Sequence, residues 1–182
     1  MRRFLVFAPS LALGLAGALW LHLRPLELAA NAGPGRILGV AVALSMLLWG
    51  GAWLLGCLLP SFRTAERLLE RAIAALPLSL PLAVALAAAT SVSEELFFRG
   101  ALLSVVGVWG QGLVFGLLHP APRRAWSYTA YTFMGGVAFG YATLWTGSLW
   151  AAMLAHFAIN LQGFLEMRAQ QRKRRMLFES RS

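Results

Sequence analysis

The apolar positions of this chain fall into long continuous runs instead of the one-sided periodic stripes of a soluble helix or strand. Residues 4–23, 37–59 and 126–145 are each long enough to cross a hydrocarbon layer of ~30 Å, which takes about 20 helical residues. Residues 148–164 form a slightly shorter run. Between the second and third, residues 76–118 are almost wholly apolar but carry Glu94, Glu95 and Arg99, and Gly107 to Gly112 offers a turn. A helical hairpin is expected there. Its first arm, residues 76–106, would make a helix of roughly 46 Å at 1.5 Å per residue, too long to stand upright, so it must tilt or break. Ser91-Val92-Ser93-Glu94 fits the S/T-x-x-E capping box and predicts a break near Ser91, with Glu94 in a structural role. Residues 61–75, with Arg63, Arg67 and Arg71 on one stripe, read as an interfacial helix whose arginines reach the headgroups. The pattern predicts an all-α polytopic membrane bundle of about six transmembrane helices.

Composition strengthens this reading. Hydrophobic residues make up 59% and charged residues 13% of the 182, with a mean hydropathy of +0.67, too little polar surface for a soluble fold to cover itself. No Pro-rich or Ser/Gly-rich linker divides the chain, so residues 1–182 are expected to form one domain. Cys57 has no partner cysteine, which excludes a disulfide framework. The net charge of +9, with no Asp at all, punctuates the apolar runs and does not form a nucleic-acid-binding patch. Thirteen of the sixteen basic residues, among them Arg2, Arg3, Arg123, Arg124 and those of the basic tail at 167–182, fall on one side of a six-span layout. By the positive-inside rule both ends are cytoplasmic, in the inner or plasma membrane, and the basic excess faces anionic lipid headgroups. Arg2-Arg3, an apolar stretch and Ala16-Gly17-Ala18 imitate a cleavable signal, but the run continues to Leu23, so an uncleaved first helix is expected.

Ionisable groups at membrane depth cost roughly 2.5–3.5 kcal/mol each, so those that remain are the candidates for chemistry. Glu95 and Arg99 are four apart and share a helical face, which pairs them and leaves Glu94 about 100° away and free. Phe115 and His119, and likewise His156 and Asn160, are four apart on their helices. In a hairpin centred on Gly107, Glu94 and His119 reach nearly the same depth, and the Thr146-Gly147 turn carries His156 and Asn160 to that layer, in the cytoplasmic half. Gly112-x-x-x-Gly116 and Gly136-x-x-x-Gly140 supply small faces for close helix packing.

Glu94-Glu95-x-x-x-Arg99, Phe115-x-x-x-His119 and His156-x-x-x-Asn160 resemble, in order, the three motifs of the CAAX protease and bacteriocin-processing (CPBP, or Abi) family of intramembrane glutamic endopeptidases, which includes the Rce1-type prenyl-protein proteases. The resemblance spans about residues 91–162. It implies that Glu94 and His119 activate a water, that His156 and Asn160 hold the oxyanion, and that Glu95 and Arg99 support the site, with no cofactor and no metal. The residue types suit that chemistry: a carboxylate can abstract a proton from water, and Asn and a protonated His donate to a developing oxyanion. Only fifteen residues separate Arg99 from Phe115, a shorter connection than is usual in the family, which puts a substrate-contacting loop there in doubt.

Bland readings stand beside these. Arg99 and Glu95 form a structural ion pair in either case, His22 sits at a helix end beside Arg24, and His119 before Pro120 fits a helix terminus. HExxH is missing, although two glutamates and two histidines could hold a metal. The expected partner is a membrane-inserted protein or peptide substrate, such as a leader, a regulatory factor or a C-terminal sorting segment. The competing classes are a non-enzymatic scaffold or immunity protein and a small transporter. The sequence does not fix the oligomeric state.

Overall fold

The computed structural model describes residues 5–28, 30–74, 76–119 and 121–179, and among them every regular element is helical. A short 3-10 turn at Leu5–Phe7 leads into α1 (Ala8–Leu23), followed by α2 (Pro34–Leu58), α3 (Pro60–Ile73) and α4 (Leu80–Glu95). The chain then widens into a π-helical segment, Leu96–Leu102, before α5 (Leu103–Leu117), α6 (Trp126–Thr146) and α7 (Leu149–Glu179). Four helices carry Pro in their first turn, where its missing N–H costs nothing. Arg2, Arg3 and Arg181, which entered the charge count, lie outside the described residues.

The expected hairpin is present. Gly107 adopts φ 69°, ψ −179°, a conformation open to glycine because no Cβ stands in the way, and reverses the chain inside α5. Glu94 and His119 would be roughly 37 Å apart along an unbroken helix, yet their side chains approach to 3.8 Å. α5 packs on α6 through the predicted small faces: a Cβ on Gly112 would lie 2.6 Å from Val137 Cγ2, and one on Gly136 would lie 3.0 Å from the Gly112 Cα.

The break expected near Ser91 is absent. The Ser91 hydroxyl donates to the Ala87 carbonyl at 2.7 Å, so it leaves the backbone ladder intact. The N-cap is Ser79, whose Oγ accepts from the Leu82 N–H. The length problem is resolved further on, by the π segment, closed by the i to i+5 bond from the Leu103 N–H to the Phe98 carbonyl. α1 lies against this wide turn: a Cβ on Gly17 would lie 2.6 Å from the Leu96 carbonyl carbon, so the glycine at the centre of the segment that mimics a cleavage site forms a helix contact.

α3 is the amphipathic helix expected over 61–75. Arg63 donates from Nη1 to the carbonyls of Gly56 and Cys57 at 2.8 and 3.0 Å, capping the end of α2. α7 continues as one helix through most of the basic tail. There Gln171 donates to the Ile73 and Leu76 carbonyls and accepts from the Leu78 N–H, fastening the α3–α4 connection.

Outward faces are apolar. Leu11, Leu15, Leu19 and Leu23 of α1, and Met46, Leu47, Trp49 and Trp53 of α2, are all exposed, far beyond the patches that a water-soluble monomer tolerates. By length and apolarity, Pro34–Leu58 and the folded stretch Leu80–Leu117 qualify as spanning elements, with Ala8–Leu23 a shorter apolar helix. Arg24 over Trp20 and Arg36 over Trp145 make cation–π contacts at the opposite end from α3, in the manner of an interfacial belt.

Candidate active site

Three elements meet at one polar layer in the bundle. α4 brings Glu94 and Glu95, the end of α5 brings His119, and α7 brings His156 and Asn160. Glu94 Oε2 lies 3.8 Å from His119 Nε2 and 3.8 Å from His156 Nε2, so the free carboxylate stands between two imidazoles. That atom is buried and makes no hydrogen bond in the protein. At 3.8 Å the groups are too far apart to bond directly and close enough for one water to touch both.

Each histidine has its tautomer set from behind. His119 Nδ1 is 2.8 Å from the Phe115 carbonyl, which can only accept, so Nδ1 carries the proton and Nε2 presents a lone pair in the neutral ring. His119 is not on the helix as its four-residue spacing from Phe115 suggested. α5 ends at Leu117, and the imidazole folds back over Phe115 with ring centroids 4.5 Å apart. Thr129 donates to its carbonyl at 3.3 Å.

His156 Nδ1 is 2.7 Å from Glu95 Oε1, and the same oxygen accepts from Arg99 Nη1 at 2.8 Å. The doubly protonated ring would pair with Glu95 through Nδ1 and donate from Nε2. Its face stacks on Phe139 at 5.0 Å. Glu95 therefore does more than neutralise Arg99: it ties the arginine of the π segment to the histidine of α7. Arg99 is fully buried. Its guanidinium carbon lies 4.6 Å from the Phe115 ring centre and 4.9 Å from that of Phe139, and Nη2 donates to the Gly136 carbonyl at 3.1 Å. The aromatic faces supply part of the solvation that water would give.

Asn160 sits one turn beyond His156 and lines the same cavity. Its Nδ2 is 2.9 Å from Thr90 Oγ1, whose own proton goes to the Leu86 carbonyl at 2.8 Å, so the asparagine must be the donor and its orientation follows. A second amide hydrogen remains for a ligand.

Two participants escaped the sequence reading. Thr90 orients Asn160, but hydroxyl side chains are too common in apolar helices to stand out. Gln111, fully buried, donates to the carbonyls of Val108 and Gly136 at 2.9 and 2.8 Å, the latter shared with Arg99. Its signal was available, as a lone amide in an apolar arm, but a search confined to charged groups passes over it.

The polar layer is the inner end of a cavity of about 480 Å³ running between α3, α6 and α7, with Phe62, Leu69 and Ile73 on its wall and Glu66, Glu70 and Glu166 toward its open end. Outside the spanning segments, the Glu66 carboxyl is pushed above its usual range by partial burial, then by the charges of Glu166 and Glu70, with Arg63 and Arg67 opposing.

Residues 75–162 match a family model described as type II CAAX prenyl endopeptidase Rce1-like, a stretch that holds all six residues singled out above. Among curated proteins, the chain is 36% identical over 72 residues to an uncharacterized protein, YpbD, of Bacillus subtilis (strain 168). That similarity covers 37% of this chain and 36% of the relative, so the chain spans about a third of the length of the protein it matches. No solved structure matches.

Proposed function

We propose that this chain, whose residues 75–162 belong with the Rce1-like family, is an intramembrane endopeptidase of the glutamic type that hydrolyses a peptide bond in a membrane-associated protein. The observation that carries the proposal is Glu94 Oε2, buried and equidistant at 3.8 Å from two imidazole nitrogens at the closed end of a 480 Å³ cavity. In the proposed reaction Glu94, assisted by His119 Nε2, takes a proton from water as the oxygen bonds to the scissile carbonyl carbon. The carbonyl oxygen becomes an oxyanion that His156 Nε2–H and the second Asn160 amide hydrogen stabilise. As the C–N bond breaks, the proton held by Glu94 passes to the leaving nitrogen. Glu95 and Arg99 act as positioning residues, through His156.

The orientation that accompanies this reading has both ends in the cytoplasm, about six crossings of the inner membrane and the active site toward the cytoplasmic half. It is supported by the arginines of α3 and α7 clustering at the end where the cavity opens. The substrates that fit are C-terminal sorting segments or leaders of other membrane-inserted proteins. Host cells carrying Glu94→Gln or His119→Ala test the proposal: a precursor should accumulate in the membrane or surface fraction of both mutants while the mutant proteins remain folded. Normal processing in both would return the polar layer to a structural role, that of a scaffold.

A further inference from the structure

We infer that the open end of the cavity is a subsite for a cationic polypeptide segment: Glu66, Glu70 and Glu166 receive a Lys- or Arg-bearing stretch that flanks the membrane-inserted part of the substrate. This rests on the peptidase reading for the chemistry further in, and adds what the site selects.

The chain has seven acidic residues and a net charge of +9, yet four of the seven, Glu66, Glu70, Glu94 and Glu166, line this one cavity. Glu66 and Glu70 are four apart on α3, a spacing at which like charges oppose helix formation, and Glu166 approaches them from α7. Burial first, and then the charges of Glu166 and Glu70, raise the proton affinity of Glu66. Their neutralisation within the protein is partial, with Arg63 and Arg67 opposing the shift at Glu66. Glu70 meets Arg174 at 3.5 Å, with the arginine side chain 59% exposed, and Glu166 accepts from the neutral amide of Gln162 at 3.1 Å. A repulsive arrangement held along a groove is relieved by an arriving cation.

Two further observations bear on what arrives. At the inner end of the same cavity Glu94 Oε2 is buried with no hydrogen-bond partner, 3.8 Å from His156 Nε2, so a polar atom facing the cavity is left for a ligand to satisfy. At the open end the carboxylates are strung along two helices, and among the described residues no group of three or more His, Cys, Asp or Glu side chains could hold a metal ion. Spaced charges with an apolar wall between them and the reaction layer match an extended peptide. The positive-inside rule supplies the charge: membrane proteins carry excess Lys and Arg on the cytoplasmic flank of a spanning helix.

The test uses the full chain with Glu94→Gln, so that nothing is cut, in phosphatidylcholine nanodiscs. Two fluorescent peptides share one apolar helix and differ only in a four-residue flank, Lys-Arg-Lys-Arg or Gln-Gln-Gln-Gln. Each exposed charge contact is worth about twofold to fivefold in affinity. The cationic peptide is therefore expected to bind about 10- to 100-fold more tightly at low salt, and the advantage should shrink at high salt. Glu66→Gln, Glu70→Gln and Glu166→Gln together should erase it, while Glu166→Gln alone, a mild change at an exposed position, should remove about twofold to fivefold. Equal binding of the two peptides, or a preference that survives the triple substitution in a folded protein, overturns the inference. Incubating the same peptides with the unsubstituted chain separates the two claims: preference without cleavage leaves the subsite standing and removes the peptidase reading, whereas cleavage without preference does the reverse.

Discussion

Replacing Arg99 by methionine removes the buried guanidinium and leaves the Glu95 carboxylate facing His156. Five interactions go at once: the 2.8 Å pair with Glu95, the 3.1 Å bond to the Gly136 carbonyl, and the contacts with the Phe98, Phe115 and Phe139 rings. Breaking one side of a buried ion pair costs about 3–5 kcal/mol, most of it from stranding the remaining charge. With about 2–4 °C of midpoint per kcal/mol for a chain of this size, Arg99→Met should lower the thermal midpoint by roughly 6–20 °C. Adding Glu95→Gln removes the stranded charge and keeps an oxygen to accept from His156 Nδ1. The double variant should therefore recover at least ~1 kcal/mol relative to the single one. Thermal unfolding of the purified protein in detergent, followed by tryptophan fluorescence, reads both. A single variant within ~1 kcal/mol of wild type, or a double variant no better than the single, would refute the picture of an ionised pair at the centre of the bundle.

Glu94→Gln should cut processing by about 10²-fold or more with little change in the midpoint, as judged by precursor levels and unfolding together. Gly107→Ala meets no neighbour within 4 Å, so its cost is the backbone strain of φ 69°, ψ −179° alone, about 1–3 kcal/mol, checked by the same unfolding assay. Thr90→Val deprives the Asn160 amide of its acceptor and should cost about 1 kcal/mol, whereas Thr90→Ser should be nearly silent. Glu66 is raised by burial and by Glu166 and Glu70, so the folded protein binds a proton there more tightly than the unfolded chain; that stability is present at acidic pH and fades as pH climbs through the raised value. Glu66→Gln should flatten the decline of the midpoint as pH rises above the usual carboxylate range.

How much of this could be read from the sequence depended on whether a signal was local. The Glu95–Arg99 pair, the Gly107 reversal and the depth match of Glu94 with His119 follow from counting along helices, because helical rise and period are fixed. The π segment does not follow from counting. It comes from the fit of α1 and α6 against residues 96–102, and no apolar pattern encodes one additional residue per turn. Ser91-x-x-Glu94 misled for a related reason: a capping box has meaning only where a helix starts, and in an apolar setting the serine hydroxyl does better to return to the Ala87 carbonyl. The bond from Glu95 to His156, 61 residues away, and the gathering of carboxylates from α3 and α7 are tertiary facts that spacing alone does not carry.

The reversal at Gly107 also orders events in time. Glu94 and His119 sit on the two arms of one contiguous hairpin, so they are made together and can meet as soon as that hairpin enters the bilayer. His156 and Asn160 arrive later, with α7. Until α7 docks, Glu95 holds Arg99 but lacks His156 and the groove has no far wall, so the polar layer closes only after the hairpin that carries its first half has formed.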